Sequence, residues 1–304
     1  MNKKGMRSTL FSAIDFKSSL LAIGTLSTFM VGSVEAVDIG YWTFEEGLAG
    51  TDIVTAVSSA NSPTMDATQH SGNEIPAAYS SNVGGAYVYD PVSGSYRSNN
   101  LSMYGAAGAA SDDTQLVITG GSSQLTNSYT VEMFILVTDP NNGDGPANLS
   151  GTDRIVNIDG NTRYNVNVGS NNLQFRVDTP TDSSGTSVYE YGAPLEDGQW
   201  HHLGFTLDYD SLVEQTTISL YVDYANAGSV VIDGQFDPFN DIRFGHDGSN
   251  DGIYDWWFDE VRISDSALTS DQFLRYSAVP EPSTLALISG VIALGIVVTR
   301  RRRS

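Results

Sequence analysis

Cysteine is absent from all 304 residues. A chain without thiols forms no disulfide and no Cys-ligated metal centre, so an oxidising compartment would be used without cross-links. Lysine is nearly absent too: Lys3, Lys4 and Lys17 are all there is. Residues 37–278 hold seven arginines, no lysine and 33 acidic groups, a net charge of −26 with histidine neutral, against −21 for the whole chain. Such a surface repels nucleic acid and anionic polymers unless divalent cations intervene, and nucleic acid is excluded as a partner. It suits Ca²⁺-rich or saline surroundings and keeps an exported protein in solution. No Ser-His-Asp spacing and no glycine-rich phosphate loop stands out. Long apolar runs are missing from the middle of the chain and occur only near its two ends.

At the first end, Lys3, Lys4, Arg7 and Lys17 precede an apolar stretch at 20–31, and Val34-Glu35-Ala36 places short residues where a signal peptidase reads. Residues 1–36 are expected to be a signal peptide cut after Ala36. At the other end, Pro280-Glu281-Pro282 is followed by an apolar run at 285–298, extended to 283–299 by Ser283, Thr284 and Thr299, and then by Arg300, Arg301, Arg302 and Arg303. About 17 residues is the lower edge for spanning a bilayer, and an arginine cluster resists transfer into hydrocarbon. A transmembrane helix over 283–299 is the expectation. The three parts in this order resemble the PEP-CTERM sorting signal of bacteria. That resemblance implies transient anchoring in the inner membrane, cleavage near Pro-Glu-Pro by an exosortase-type enzyme, and delivery of the body to the cell surface or extracellular matrix.

The body between these signals reads as strands. Strand-like segments fall at 39–44, 87–89, 115–118, 129–137, 154–158, 164–168, 173–177, 201–208, 218–224, 242–244 and 257–263, with Gly, Asn, Asp, Ser and Pro between them. Ile218, Leu220 and Val222 alternate with polar residues and share one face. One helix is expected before the tail. Thr269 and Gln272 have capping-box spacing, and Leu268 and Phe273 stand at the two staple positions. The stretch 51–104 is the least regular and reads as long loops laid over the sheets. Many strands and one short helix indicate a two-sheet antiparallel sandwich.

Several segments then resemble, in order, a LamG-like jelly roll of the concanavalin A-like lectin/glucanase superfamily. Tyr41-Trp42-Thr43-Phe44-Glu45-Glu46-Gly47 is similar to its opening strand and acidic turn, and Tyr129-Thr130-Val131-Glu132-Met133-Phe134 to a later strand. Gln199-Trp200-His201-His202-Leu203, Leu220-Tyr221-Val222-Asp223 and Ile242-Arg243-Phe244-Gly245 follow. Phe258-Asp259-Glu260-Val261-Arg262-Ile263, with Ala267-Leu268-Thr269 and Gln272, is similar to the closing strand and its short helix. Tyr224 departs from the family, which has Gly after Tyr-Val-Asp, so a longer hairpin turning at 226–228 is expected. The fold class is therefore all-β: an antiparallel two-sheet jelly-roll sandwich over 37–278, concanavalin A-like, with an N-terminal signal helix and a single C-terminal transmembrane helix in 279–304.

Candidate chemistry is sparse. Glycosidases need two carboxylates about 5–5.5 or 6.5–9.5 Å apart facing one sugar. Asp259 and Glu260 would point to opposite faces of a strand, and Asp255 with Asp259 finds no third carboxylate in series. The patterns of the superfamily's glucanases, Glu-x-Asp-x-Glu and Glu-x-Asp-x-x-Glu, are absent, and the resemblance implies a structural role for Asp259 and Glu260. No catalytic residue is expected. His201 and His202, adjacent on a strand, cannot face one ion, and His70 and His246 lie far off in sequence. Ca²⁺ is the credible metal, because Asp139, Asn141 and Asp144 in one loop and Asp247, Asn250 and Asp251 in another offer oxygen ligands. The same residues also make turns. Tyr189, Tyr191, Tyr254 and Trp256 are candidates to stack on a sugar ring if they stand on an open face, and of Trp256 and Trp257 one should be core and the other exposed. The expected function is a non-enzymatic exported surface or matrix protein that binds polysaccharide or an envelope protein. A glycan hydrolase or lyase with a non-standard site, or a purely structural matrix protein, is the alternative.

Overall fold

Alternating apolar residues, broken by Asx- and Gly-rich turns, build a structure of strands throughout. The computed structural model describes residues 36–58, 67–69, 77–105, 116–119, 127–138, 153–159, 163–169, 172–178, 188–191, 197–235, 241–244 and 255–277. These residues all belong to one compact unit, Glu35–Ser304. In chain order the strands begin β1 (Asp38–Trp42), β2 (Thr55–Ala56), β3 (Ala67–Gln69), β4 (Ala78–Ser80), β5 (Tyr87–Asp90), β6 (Ser95–Ser98) and β7 (Ser102–Gly105). They continue with β8 (Leu116–Thr119), β9 (Tyr129–Thr138), β10 (Asp153–Asp159), β11 (Arg163–Gly169), β12 (Asn172–Asp178) and β13 (Val188–Tyr191). The last are β14 (His201–Asp210), β15 (Gln215–Val222), β16 (Ala225–Asp233), β17 (Asp241–Phe244), β18 (Asp255–Ser264) and β19 (Arg275–Ser277).

One sheet runs β16-β15-β14-β9-β18-β7-β4, with β1 also paired to β18; the other runs β13-β12-β11-β10-β17-β8-β3-β2. A third, of β19-β5-β6, is small. The core carries Val131, Met133, Ile135 and Val137 of β9, Leu203, Phe205 and Leu207 of β14, and Phe258 of β18 from the first sheet. Leu116, Ile118, Ile242 and Phe244 come from the second. Strand β9 is buried at all ten positions. Its even-numbered residues, Thr130 to Thr138, face away from that core, so something must cover the first sheet's outer face.

The cover is the third sheet and the segment leading into it, held by a buried ion pair. Glu132 and Arg262 are cross-strand neighbours, and Arg262 Nε donates to Glu132 Oε1 at 2.7 Å. The guanidinium also donates to Asp90 Oδ1 of β5 at 2.8 Å and to the Gln272 carbonyl at 2.8 Å. Glu132 Oε2 accepts from the Leu274 amide at 2.9 Å and faces His202 Nε2 at 2.8 Å. Burial alone would raise the Glu132 pKa, but Arg262 and His202 outweigh it and hold the carboxyl below its usual range. Gly204 lies opposite Glu132 on β14, where a Cβ would come within 3.1 Å of the Phe273 ring. The missing side chain lets Phe273 lie flat on the sheet.

Several expectations are corrected here. The fold class is all-β and antiparallel in three sheets, with no helix, and none long and apolar enough to cross a membrane, among the described residues. The described fold thus carries neither of the helices expected in 1–36 and at 283–299, and residues 1–35 and 278–304 lie outside those described. At Thr269 half of the capping box forms: Thr269 N donates to Gln272 Oε1 at 3.0 Å, but Gln272 N donates to the Thr269 carbonyl at 2.9 Å, a turn bond, and not to the Thr269 hydroxyl. They close one turn and no helix follows, because Arg262 and Glu132 capture the backbone of Gln272 and Leu274. The stretch 51–104 is not loop alone: it supplies β2 to β7, of which β5 and β6 are strands of the third sheet. The β15–β16 hairpin is tight, since Val222 pairs with Ala225 and Asp223 and Tyr224 form the turn with φ of 48° and 69°. A left-handed Tyr costs roughly 1–2 kcal/mol. Stacking of its ring on His202 (4.7 Å) and of Arg275 over it (4.5 Å) offsets that cost.

Replacing Glu132 with Ala takes from Arg262 its fully buried partner and leaves it the partly exposed Asp90 and Asp38, and urea denaturation should read a loss of about 3 kcal/mol. The double change Glu132→Leu/Arg262→Met should recover part of it, because the buried guanidinium goes with its partner while Asp90, nearer the surface, loses its cation.

Candidate functional site

Past the edge of the third sheet, part of the first sheet's outer face stays open. Leu136 and Thr138, near the end of β9, form part of the lining of a cleft of about 320 Å³, together with Trp257, Asn82, Gly198, Gln199 and Trp200. Trp257 faces outward by strand alternation, since Trp256 and Phe258 on either side of it are core residues. Its ring lies 4.8 Å from that of Tyr104, and its Nε1 donates to Ser80 Oγ at 3.1 Å. Trp200 stands just before β14, edge-on to Tyr276 at 6.2 Å, with Nε1 3.4 Å from Asn82 Oδ1. An Asx turn brings it there: the Gln199 amide donates to Asp197 Oδ1 at 2.8 Å, and Gly198 takes the positive φ of 72°. Both tryptophans are half-buried. None of the described residues lining the cleft is charged. Two flat apolar rings with amide and hydroxyl groups beside them can hold a ligand that has both apolar faces and hydroxyls.

Asp259 and Glu260 of β18 are elsewhere and occupied. Between Asp259 and Arg262 a bulge sets two residues of β18, Glu260 and Val261, against one of β9, Met133, and Glu260 takes a φ of 55°. That breaks the alternation expected from sequence: Asp259 and Glu260 both reach residues of the third sheet instead of pointing to opposite faces. Asp259 Oδ2 accepts from Asn99 Nδ2 at 2.8 Å and from the Tyr276 hydroxyl at 3.0 Å. Glu260 Oε2 accepts from the Tyr41 hydroxyl at 2.6 Å and pairs with Arg97. Both carboxyls are 0% exposed, so neither can meet a sugar. Their part is to tie β18 to β1, β6 and β19.

Burial pushes the Asp259 carboxyl up to about 8, against the pull of Asn99 and Tyr276, so it is protonated at neutral pH. His201 is the converse case. Burial would lower it, yet hydrogen bonds to Asp223 and Asp197 hold it above its ordinary value. His202 packs edge-on to Phe134 at 5.2 Å and donates to Glu132 from Nε2, because an ionised carboxylate only accepts.

Trp256 is corrected as a stacking candidate: it is 3% exposed, and a Cβ on Gly105 would overlap its ring. Trp257 takes the outward place. Tyr189 and Tyr191 belong to β13, at one edge of the second sheet. Tyr254 lies outside the described residues, as do Asp139, Asn141, Asp144, Asp247, Asn250 and Asp251. Among the described residues no group of three His, Cys, Asp or Glu side chains could hold a metal ion. Sequence reasoning used Trp200 only as a strand marker. Its one signal was the polar Asp197-Gly198-Gln199 turn before it.

The family model for the concanavalin A-like lectin/glucanases superfamily (Laminin_G_3) matches residues 110–273, more than half of the chain. The chain belongs to that superfamily. No curated protein matches it. The binding domain of Paraclostridial Mosquitocidal Protein 1 is similar in structure, with a TM-score of 0.50 and 14% identity over 78% of this chain and 50% of that one. The botulinum neurotoxin serotype G binding domain gives 0.51 and 13% over 77% and 49%, and that of serotype D gives 0.51 and 12% over 78% and 50%. The chain thus spans about half the length of these structures, and at such identity the superfamily likeness is one of fold.

Because the Asp259 carboxyl binds its proton more tightly in the folded state, its contribution is full below about pH 4 and is lost as pH rises towards about 8. Over that window the wild type should lose up to about 1.4 kcal/mol per pH unit relative to Asp259→Asn. The check is thermal denaturation of both proteins between pH 5 and 9, with the gap widening in favour of the variant.

Proposed function

We propose that this domain is a non-catalytic, exported binding module that holds a neutral glycan in the Trp200–Trp257 cleft. The observation that carries the reading is the pair of tryptophan rings beside Asn82, Gln199 and Thr138 with no charge in the described lining. Sugar rings offer C–H faces to the aromatics and hydroxyls to the amides. The charge of −26 over 37–278 disfavours acidic polysaccharides at such a site. Membership of a superfamily of lectins and glucanases supports a carbohydrate ligand, and the similar solved structures are binding domains. A hydrolase is disfavoured because Asp259 and Glu260 are sealed beneath the third sheet and engaged with Tyr41, Arg97, Asn99 and Tyr276.

The proposal extends to location on sequence grounds. The segment ending in Val34-Glu35-Ala36 is read by a signal peptidase, and Pro280-Glu281-Pro282 with the arginines at 300–303 by an exosortase-type sorting enzyme, leaving the domain at the surface or in the matrix. Ca²⁺ belongs, in this reading, to the Asx loops around Asp139 and Asp247 and not to the cleft.

Affinity electrophoresis through laminarin, xyloglucan and alginate, with and without EDTA, tests the proposal. Retardation by a neutral polymer, unaffected by EDTA, is expected. It should weaken at least about tenfold, roughly 1.4 kcal/mol, in Trp257→Ala and in Trp200→Ala proteins that keep their circular dichroism. Retention by no polymer overturns the proposal, and retention abolished by EDTA moves the site to the Asx loops.

A further inference from the structure

His201 occupies an unusual position between two acids. Its Nδ1 lies 2.8 Å from Asp223 Oδ2 and its Nε2 lies 3.0 Å from Asp197 Oδ1. A neutral imidazole has one N–H and one lone pair. With a carboxylate oxygen at each nitrogen, the neutral ring would set a lone pair against an anion on one side. The geometry is satisfied only by the imidazolium, which donates from both nitrogens.

The two acids differ in what else holds them. Asp223 sits in the β15–β16 turn, where its Oδ1 accepts from the His202 amide at 3.0 Å and its own amide donates to the His202 carbonyl at 2.9 Å. It is fixed without His201. Among the described residues, Asp197 is otherwise bound only within its own turn, to the Gln199 amide. That turn continues through Gly198 and Gln199 into Trp200, one wall of the cleft. His201 is thus the strut between a rigid hairpin and the wall. The charged groups facing it among the described residues are Asp197 and Asp223; Ile135 of β9 lies opposite it, and His202 bonds instead with Glu132.

We propose that doubly protonated His201 is the positioning residue that holds the 197–200 wall of the cleft, so that its deprotonation frees Asp197, loosens Trp200 and weakens ligand binding. The part concerning affinity rests on the glycan reading above; the part concerning the wall does not.

The test uses the full chain labelled with 5-fluorotryptophan, whose four tryptophans give four fluorine resonances. Trp200→Phe identifies one of them. An Asp259→Asn background removes the second titration near the cleft. Between pH 5 and 9 the Trp200 resonance should shift with the same midpoint as the His201 ring protons. It should stay at its high-pH position throughout in His201→Gln, and the His201 midpoint should fall in Asp197→Asn. Retardation by laminarin should weaken several-fold from pH 5.5 to pH 9 in the parent and not change in His201→Gln. A Trp200 resonance that does not move, or that moves equally in His201→Gln, overturns the proposal. A resonance that moves as expected while no neutral glycan is retained supports the clamp and overturns the glycan reading alone.

Discussion

A cation and an anion buried side by side on the outer face of the first sheet organise the rest of this molecule. Arg262 and Glu132 stand opposite each other on β18 and β9, where a jelly-roll face would otherwise meet water. Each has more hydrogen-bonding capacity than the other can use. The surplus goes to Asp90 on β5, the Gln272 carbonyl, the Leu274 amide and His202. A buried pair of this kind adds little net stability over an apolar replacement. Its effect is directional: it specifies which backbone segment lies over the sheet and in what register. Phe273, Leu274 and Tyr276 then seal the layer with apolar area, and Gly204 leaves the space for the first of them.

The same layer determines where a ligand can reach. The third sheet covers β9 as far as Phe134, against which Tyr276 stacks at 3.7 Å. Beyond that, Leu136, Thr138 and Trp257 line an open cleft bounded by Trp200. Among the described residues, the acidic groups that dominate the composition do not enter this lining. Asp259 and Glu260 are buried as linkers, and Asp197 and Asp223 are turned to His201. An aromatic lining without charge among the described residues of a strongly acidic domain suits the neutral, hydroxyl-rich ligand proposed for it.

Much of the fold was legible in the sequence. The expected segments at 129–137, 201–208 and 257–263 coincide with β9, β14 and β18, because period-2 alternation survives wherever one face meets the core. The structural role assigned to Asp259 and Glu260 was legible too, though their directions were not. A one-residue bulge at Glu260 turns both to the same side, and nothing in the local pattern announces it. Trp256 and Trp257 were expected to part company, yet which of them faces out depends on register against Gly105 and Leu136. The Thr269–Gln272 box forms by half and no helix follows, and Tyr224 turns a hairpin that normally wants Gly. In both cases a long-range contact outweighed a local preference.

By itself, then, the sequence determined the all-β, antiparallel character of the body, the absence of thiol chemistry and the acidic surface. Those properties follow from composition and from periodicities a few residues long. The third sheet, the protonated Asp259, the doubly bonded His201 and the tryptophan cleft were decided only by the tertiary structure. The third sheet and the protonated Asp259 depend on groups 160 or more residues apart, as Asn99 is from Asp259, and all four depend on burial that changes what a side chain's charge costs. No local pattern encodes either quantity.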